Sequence, residues 1–345
     1  MAALSHDERV VYVVRHAESR YNDAKRRWGL VGLVGETDHG LSTAGVEQCA
    51  VLRSAITTAA ARGDADGEAI MARGATLSSP LTRAILTAHL ALPLRSNSDS
   101  SGCGGSGGGG GDSAAEAVAH ACVALADARE HCLMPLFARD SVGTHREGIG
   151  VRVAEELAAL DARFAAARDA AAGTPGGGTA AAAHTHAHTH AVLPEHLCRP
   201  GAPDVDTSRV AEDKWWVVGE RHAAVVARLG ALAWDLFDAS GHGGGKGSDG
   251  GSGGGATVLV AHSRVIRTLI QEYGDCGACG EGAGEGGAAL VRELGERLVD
   301  NCAVLRLTLK GQLRGQEGGQ EGDRTPATAP RVIRAAFLFG TGFKQ

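Results

Sequence analysis

A chain of 345 residues has the length of two domains, but 51 glycines gathered into a few tracts leave much of it without side chains to bury. One domain is expected, its core filled by Ala, Val and Leu, since 43% of residues are hydrophobic and only 4% aromatic. A net charge of −6 argues against a nucleic-acid partner, and the lack of a long apolar run or of a signal-like start at Met1–Asp7 argues against a membrane, predicting a cytoplasmic protein.

The β-branched run Val10–Val14 predicts a strand buried on both faces. A helix is expected over Leu41–Ala60 with Ser42 as its N-cap. A short strand follows at Ala75–Ser78, then a helix opening at Pro80. Cys122–Ala126 reads as a strand, Val151–Ala171 and Trp215–Phe237 as long helices, and Thr257–Ala261 as a buried strand leading into a helix over Val265–Tyr273. Cys302–Leu309 and Val332–Phe339 supply two more strands. This alternation predicts an α/β fold, a three-layer α/β/α sandwich with a mainly parallel sheet. The single domain spans 1–345, interrupted by Gly-rich tracts at about 96–113, 173–190, 240–255, 274–287 and 311–328, which are expected to be flexible insertions. The alternating histidines from His184 to His190 fall in such a tract and read as low-complexity sequence. Eight cysteines read as reduced thiols, and Cys276 with Cys279 has no second Cys-x-x-Cys to complete a zinc site, so neither metal nor cofactor is expected.

In doubly wound sheets ligands bind beyond the carboxyl ends of strands. Three such ends carry suitable chemistry. The first strand runs into Arg15-His16-Ala-Glu-Ser19, with Asn22 close behind; the second into Ser79-Pro80-Leu-Thr-Arg83; the one at Thr257 into His262-Ser263-Arg264. If these strands are neighbours, two arginines and two histidines meet at one edge. Arginine forks match the oxygens of a transferring phosphoryl group, and their charge favours the neutral, nucleophilic form of histidine. The leaving oxygen needs a proton, for which Glu130 is the preferred carboxyl, with Asp127 and Asp140 as competitors. Arg221-His222-Ala223 repeats the first motif inside a helical pattern and reads as a surface pair.

Arg15-His16-Ala-Glu-Ser19 with Asn22, the stretch Asp38–Gly45 with Gln48, Ser79–Ala88, Val258–His262 and Asn301–Val304 together resemble the histidine phosphatase superfamily, also called phosphoglycerate mutase-like. The resemblance implies that His16 is the phosphorylated nucleophile, that Arg15, Arg83, His262 and Asn22 bind the phosphate, and that Glu130 and His262 complete the catalytic set. Ala17 stands where the family commonly has glycine, keeping a small residue beside the phosphate. Arg129-Glu-His131, Asp140–Gly143 and Trp215-Trp216 look more like the phosphatase branch than the glycolytic mutases. The expectation is a metal-independent phosphomonoesterase acting on a small phosphorylated metabolite. A phosphomutase and a silent phosphate-binding module are the alternatives, and no interface signal speaks to oligomeric state.

Overall fold

The computed structural model describes residues 4–5, 7–27, 36–93, 122–130, 142–172, 204–210, 215–217, 219–240, 256–275, 285–311 and 325–344. Their strands form one seven-stranded sheet. In chain order these are β1 (Glu8–Arg15), β2 (Ala75–Ser78), β3 (Cys122–Ala124), β4 (Val205–Asp206), β5 (Thr257–Ala261), β6 (Val304–Lys310) and β7 (Arg331–Leu338). Across the sheet they lie in the order β4-β3-β2-β5-β1-β6-β7. The five strands from β4 to β1 run parallel, and β6 and β7 continue the sheet antiparallel.

The helices are α1 (Arg20–Arg26), α2 (Thr43–Ala61), α3 (Ala65–Met71), α4 (Thr82–Ala91), α5 (Ile149–Ala172), α6 (His222–Ala239), α7 (Ser263–Tyr273) and α8 (Glu285–Glu296). Successive residues of a strand face opposite ways, so each interior strand serves two cores. Val11, Val13, Leu259 and Ala261 pack with apolar residues of α6, α7 and α8. Tyr12, Val14, Val258 and Val260 pack with those of α2, α4 and α5 on the other face. Burying each such Val, Leu or Ile contributes about 1.5–3 kcal/mol before conformational entropy is set against it. The architecture is the three-layer α/β/α sandwich with a mainly parallel sheet that the alternating pattern implies. None of the described helices is long and apolar enough to cross a membrane.

Several boundaries depart from expectation. The helix expected from Trp215 begins only at His222, because Gly219 adopts φ +72 and turns the chain first. Trp215 is instead irregular and buried, its indole N–H donating to the Thr144 carbonyl at 2.9 Å. The helix expected from Pro80 starts at Thr82, since the Ser79 N–H pairs with the Val260 carbonyl as an extension of the strand. The strand expected through Ala126 ends at Ala124, followed by a 3-10 turn over Ala126–Ala128. Glu285–Gly287, at the end of one expected insertion, open α8. Cys276, Cys279, Asp140 and His184–His190 lie outside the described residues.

Candidate active site

Strands β2, β5 and β1 are parallel neighbours, so the segments that follow them share one edge of the sheet. Arg15 is the last residue of β1, and the next, His16, extends the pairing by donating its backbone N–H to the Ala261 carbonyl at 2.9 Å. Its own carbonyl accepts from Asn301 Nδ2 at 3.0 Å. The Ala17 N–H donates to Thr87 Oγ1 at 2.9 Å, and that hydroxyl donates to the Arg83 carbonyl at 2.7 Å, tying the loop to α4. Glu18 is held by Gln48 and Ser42 of the α2 entrance, and Ser19 caps α1 by accepting the Asn22 N–H at 3.2 Å. Gly45 is required here: a Cβ on it would stand 2.1 Å from the Glu18 carbonyl oxygen.

The ring of His16 is 3% exposed, and Nδ1 lies 2.6 Å from the Ala17 carbonyl oxygen. A carbonyl only accepts, so this contact assigns the proton to Nδ1 and leaves the lone pair on Nε2. The His262 ring stands 4.9 Å away between centroids, tilted by 58°, with Nε2 2.8 Å from Ser79 Oγ. Burial pushes both imidazoles well below the ordinary histidine range, and the charge of Arg83 adds to it; His262 and Arg15 also act on His16. Both rings are therefore neutral near pH 7.

Arg83 follows the first residue of α4, is fully buried, and pairs through Nη2 with Glu130 Oε2. The same carboxylate oxygen is 3.5 Å from His262 Nδ1. Arg15 donates Nη1 to the Val299 carbonyl at 2.5 Å, while its buried Nε has no hydrogen-bond partner among the described residues. Burial lowers the guanidinium of Arg15 from its usual range, opposed by the charge of Glu130. Arg15, His16, Arg83, Glu130 and His262 are thus gathered at one place. Asn22 lies on α1, half-buried, and its backbone N–H donates to the Ser19 hydroxyl that caps the helix. Asp127, the rival carboxyl, is raised chiefly by burial, opposed by the charges of Arg228, Arg129 and Arg209.

Asp38 supports Arg83 in a way its sequence context did not single out. It adopts φ 49, rare for a residue with a side chain, and is 2% exposed. Its carboxylate accepts the Thr82 N–H and hydroxyl, both at 2.8 Å, and the Thr144 hydroxyl at 2.8 Å. That caps a helix whose own N-cap residue, Leu81, has no side-chain acceptor to offer. Thr87 was legible only as the residue one turn beyond Arg83, and Asn301 only as the polar residue before the late strand.

Two guanidinium forks, two neutral imidazoles and one carboxyl at a strand edge suit a dianionic phosphate, which can take paired hydrogen bonds from each fork. Among the described residues no cluster of three or more His, Cys, Asp or Glu is arranged to hold a metal ion.

Residues 11–98 match the family model for the histidine phosphatase superfamily (branch 1). Comparison with curated proteins gives no match. Among solved structures the chain is similar to a phosphoglycerate mutase from Bacillus anthracis str. Sterne, at 17% identity and TM-score 0.36, over 93% of this chain and 96% of that one. It is similar to a phosphoserine phosphatase from Entamoeba histolytica in complex with phosphoserine, at 11% identity and TM-score 0.37, over 96% and 98% of the two chains. A mycobacterial glucosyl-3-phosphoglycerate phosphatase aligns at 17% identity and TM-score 0.36, over 96% and 97%.

Proposed function

From the histidine phosphatase superfamily segment at residues 11–98, we propose that this chain hydrolyses a small phosphomonoester through a phosphohistidine intermediate on His16. The observation that carries the reading is the hydrogen bond from His16 Nδ1 to the Ala17 carbonyl, which leaves Nε2 unprotonated beside Arg15, Arg83 and His262. The phosphate is held by the two arginines, with His262 against its third side. The Nε2 lone pair forms the N–P bond as the ester P–O bond breaks, and Glu130 gives its proton to the departing oxygen. In the second half Glu130 takes a proton from water, the water oxygen attacks phosphorus, and the N–P bond breaks to release inorganic phosphate. Arg15 and Arg83 stabilise the equatorial oxygens in both halves, and such preorganised donors supply much of the rate in phosphoryl transfer. Splitting hydrolysis into two displacements lowers each barrier. Every group in this sequence belongs to the chain, so activity should survive a chelator.

The test is release of inorganic phosphate from an aryl phosphate and from sugar and glycerate phosphates, with chelator present, in the parent and in His16→Ala. Phosphate release by the parent, its loss in the variant and an acid-labile phosphoryl label on His16 support the reading. Isomerised phosphoglycerate without free phosphate would make the chain a mutase, and turnover that persists in His16→Ala would remove the histidine mechanism altogether.

A further inference from the structure

We propose that Arg228, in the middle of α6, is a positioning residue for the proton-donating carboxyl of Glu130, holding the turn that carries it. The proposal rests on the reading of Glu130 as the acid. Glu130 follows a strand of three residues and a single 3-10 turn, Ala126–Ala128, so little regular structure of its own segment orients it. Arg228 supplies what is lacking. Its Nη1 donates to the Asp127 carbonyl at 2.5 Å and to the Arg129 carbonyl at 3.2 Å. The second of these carbonyls belongs to the peptide that joins Arg129 to Glu130, so holding it sets the direction in which the Glu130 side chain leaves the backbone.

The guanidinium is 6% exposed and would be costly to bury alone. Glu220, 7% exposed, compensates it in fork-to-fork fashion: Nε donates to Oε1 at 3.2 Å and Nη2 to Oε2 at 3.0 Å. Arg129 donates Nη2 to Oε1 of the same carboxylate at 2.7 Å, so the residue next to Glu130 is tied in from its side chain as well. One glutamate and two arginines thus brace α6 against the acid-bearing turn, and the brace leaves Glu130 itself for Arg83 and His262. The geometry of the fork, two carbonyls on one side and a bidentate carboxylate on the other, is one that lysine cannot reproduce.

A brace that merely stabilised the fold would affect all substrates alike, whereas one that aims the acid matters only where the leaving oxygen needs a proton. The experiment is kcat/KM, which reports the phosphohistidine-forming step, on an alkyl phosphate and on nitrophenyl phosphate, for Arg228→Lys, Arg228→Met, Glu220→Gln and Glu130→Gln. Expected is a loss of about 100-fold on the alkyl ester for Arg228→Lys and Arg228→Met, the scale of a misplaced catalytic group, with much less loss on the nitrophenyl ester. Glu220→Gln, which keeps the shape of the brace, should show the same selectivity in weaker form should Arg228→Met fail to fold. Equal losses on both esters, or none, would overturn the positioning role. Glu130→Gln without selectivity would instead show that the acid reading fails, and the proposal with it.

Discussion

The tripeptide Arg-His-Ala occurs twice in this chain, and the two copies share nothing but their letters. At the end of β1, His16 is 3% exposed, its carbonyl and amide are tied to neighbouring segments, and burial, helped by Arg83, His262 and Arg15, holds it neutral. At the start of α6, the side chain of His222 is 69% exposed and lies 3.3 Å from Glu272. The first copy follows a β-branched strand whose neighbours bring Ser79, Arg83 and His262 alongside; the second follows a glycine turn and meets solvent. What separates the two copies is the strand end, since the residue types alone would have served either place.

The largest way to break that comparison is to remove each histidine in turn. His16→Ala should lower kcat/KM at least about 1,000-fold, the scale seen when a catalytic nucleophile is removed, while His222→Ala should stay within about twofold of the parent. Comparable losses in both would show that burial at the strand end does not decide function. A smaller effect sharpens the contrast through the glycines beside each copy. Gly45→Ala drives a Cβ to 2.1 Å from the Glu18 backbone oxygen and should destabilise by about 3 kcal/mol in urea unfolding. Gly219→Ala meets open space and is opposed only by φ +72, so about 1 kcal/mol is expected.

The third prediction concerns pH. Burial and Arg83 depress both His16 and His262, so the unfolded chain takes up protons below its ordinary pKa of about 6.5 while the folded chain does not. Their stabilising effect is therefore complete above that pH and is lost as the solution is acidified toward the folded values. Each ring should contribute a slope of up to about 1.4 kcal/mol per pH unit between roughly pH 6.5 and pH 5. Urea midpoints measured across that window should fall with acid, and the fall should be shallower in His16→Asn, which has no proton to take up. An unchanged slope would mean that His16 is not held neutral.

Much of the sheet was legible because buried parallel strands leave short β-branched runs such as Val10–Val14 and Thr257–Ala261, and the residues after them stand out by type. That the runs at β1, β2 and β5 would be neighbours required the pairing itself, which no single segment encodes. Trp215 misled because its aromatic and Val-rich surroundings fit a helical period, whereas Gly219 ends that possibility two residues before Arg221. The short elements α1, α3 and β4 carry too few residues for periodicity to register. Arg228 left one trace only, a lone charge in the otherwise apolar run of α6 from Val225 to Trp234, and a lone charge on such a face does not name its partners. Asp38 caps a helix far along the chain, and caps of that kind have no local pattern.

The pairing of β1 also bears on how the molecule comes into being. Val11 has Thr257 on one side and Leu307 on the other, so the strand that presents His16 finds its neighbours only in the last third of the chain. During synthesis the apolar run Val10–Val14 waits without partners while β2 to β4 emerge, and long-range closure of this kind slows folding and prolongs exposure to aggregation. A nascent chain receives His16 early in translation and the partners of the strand before it almost at the end.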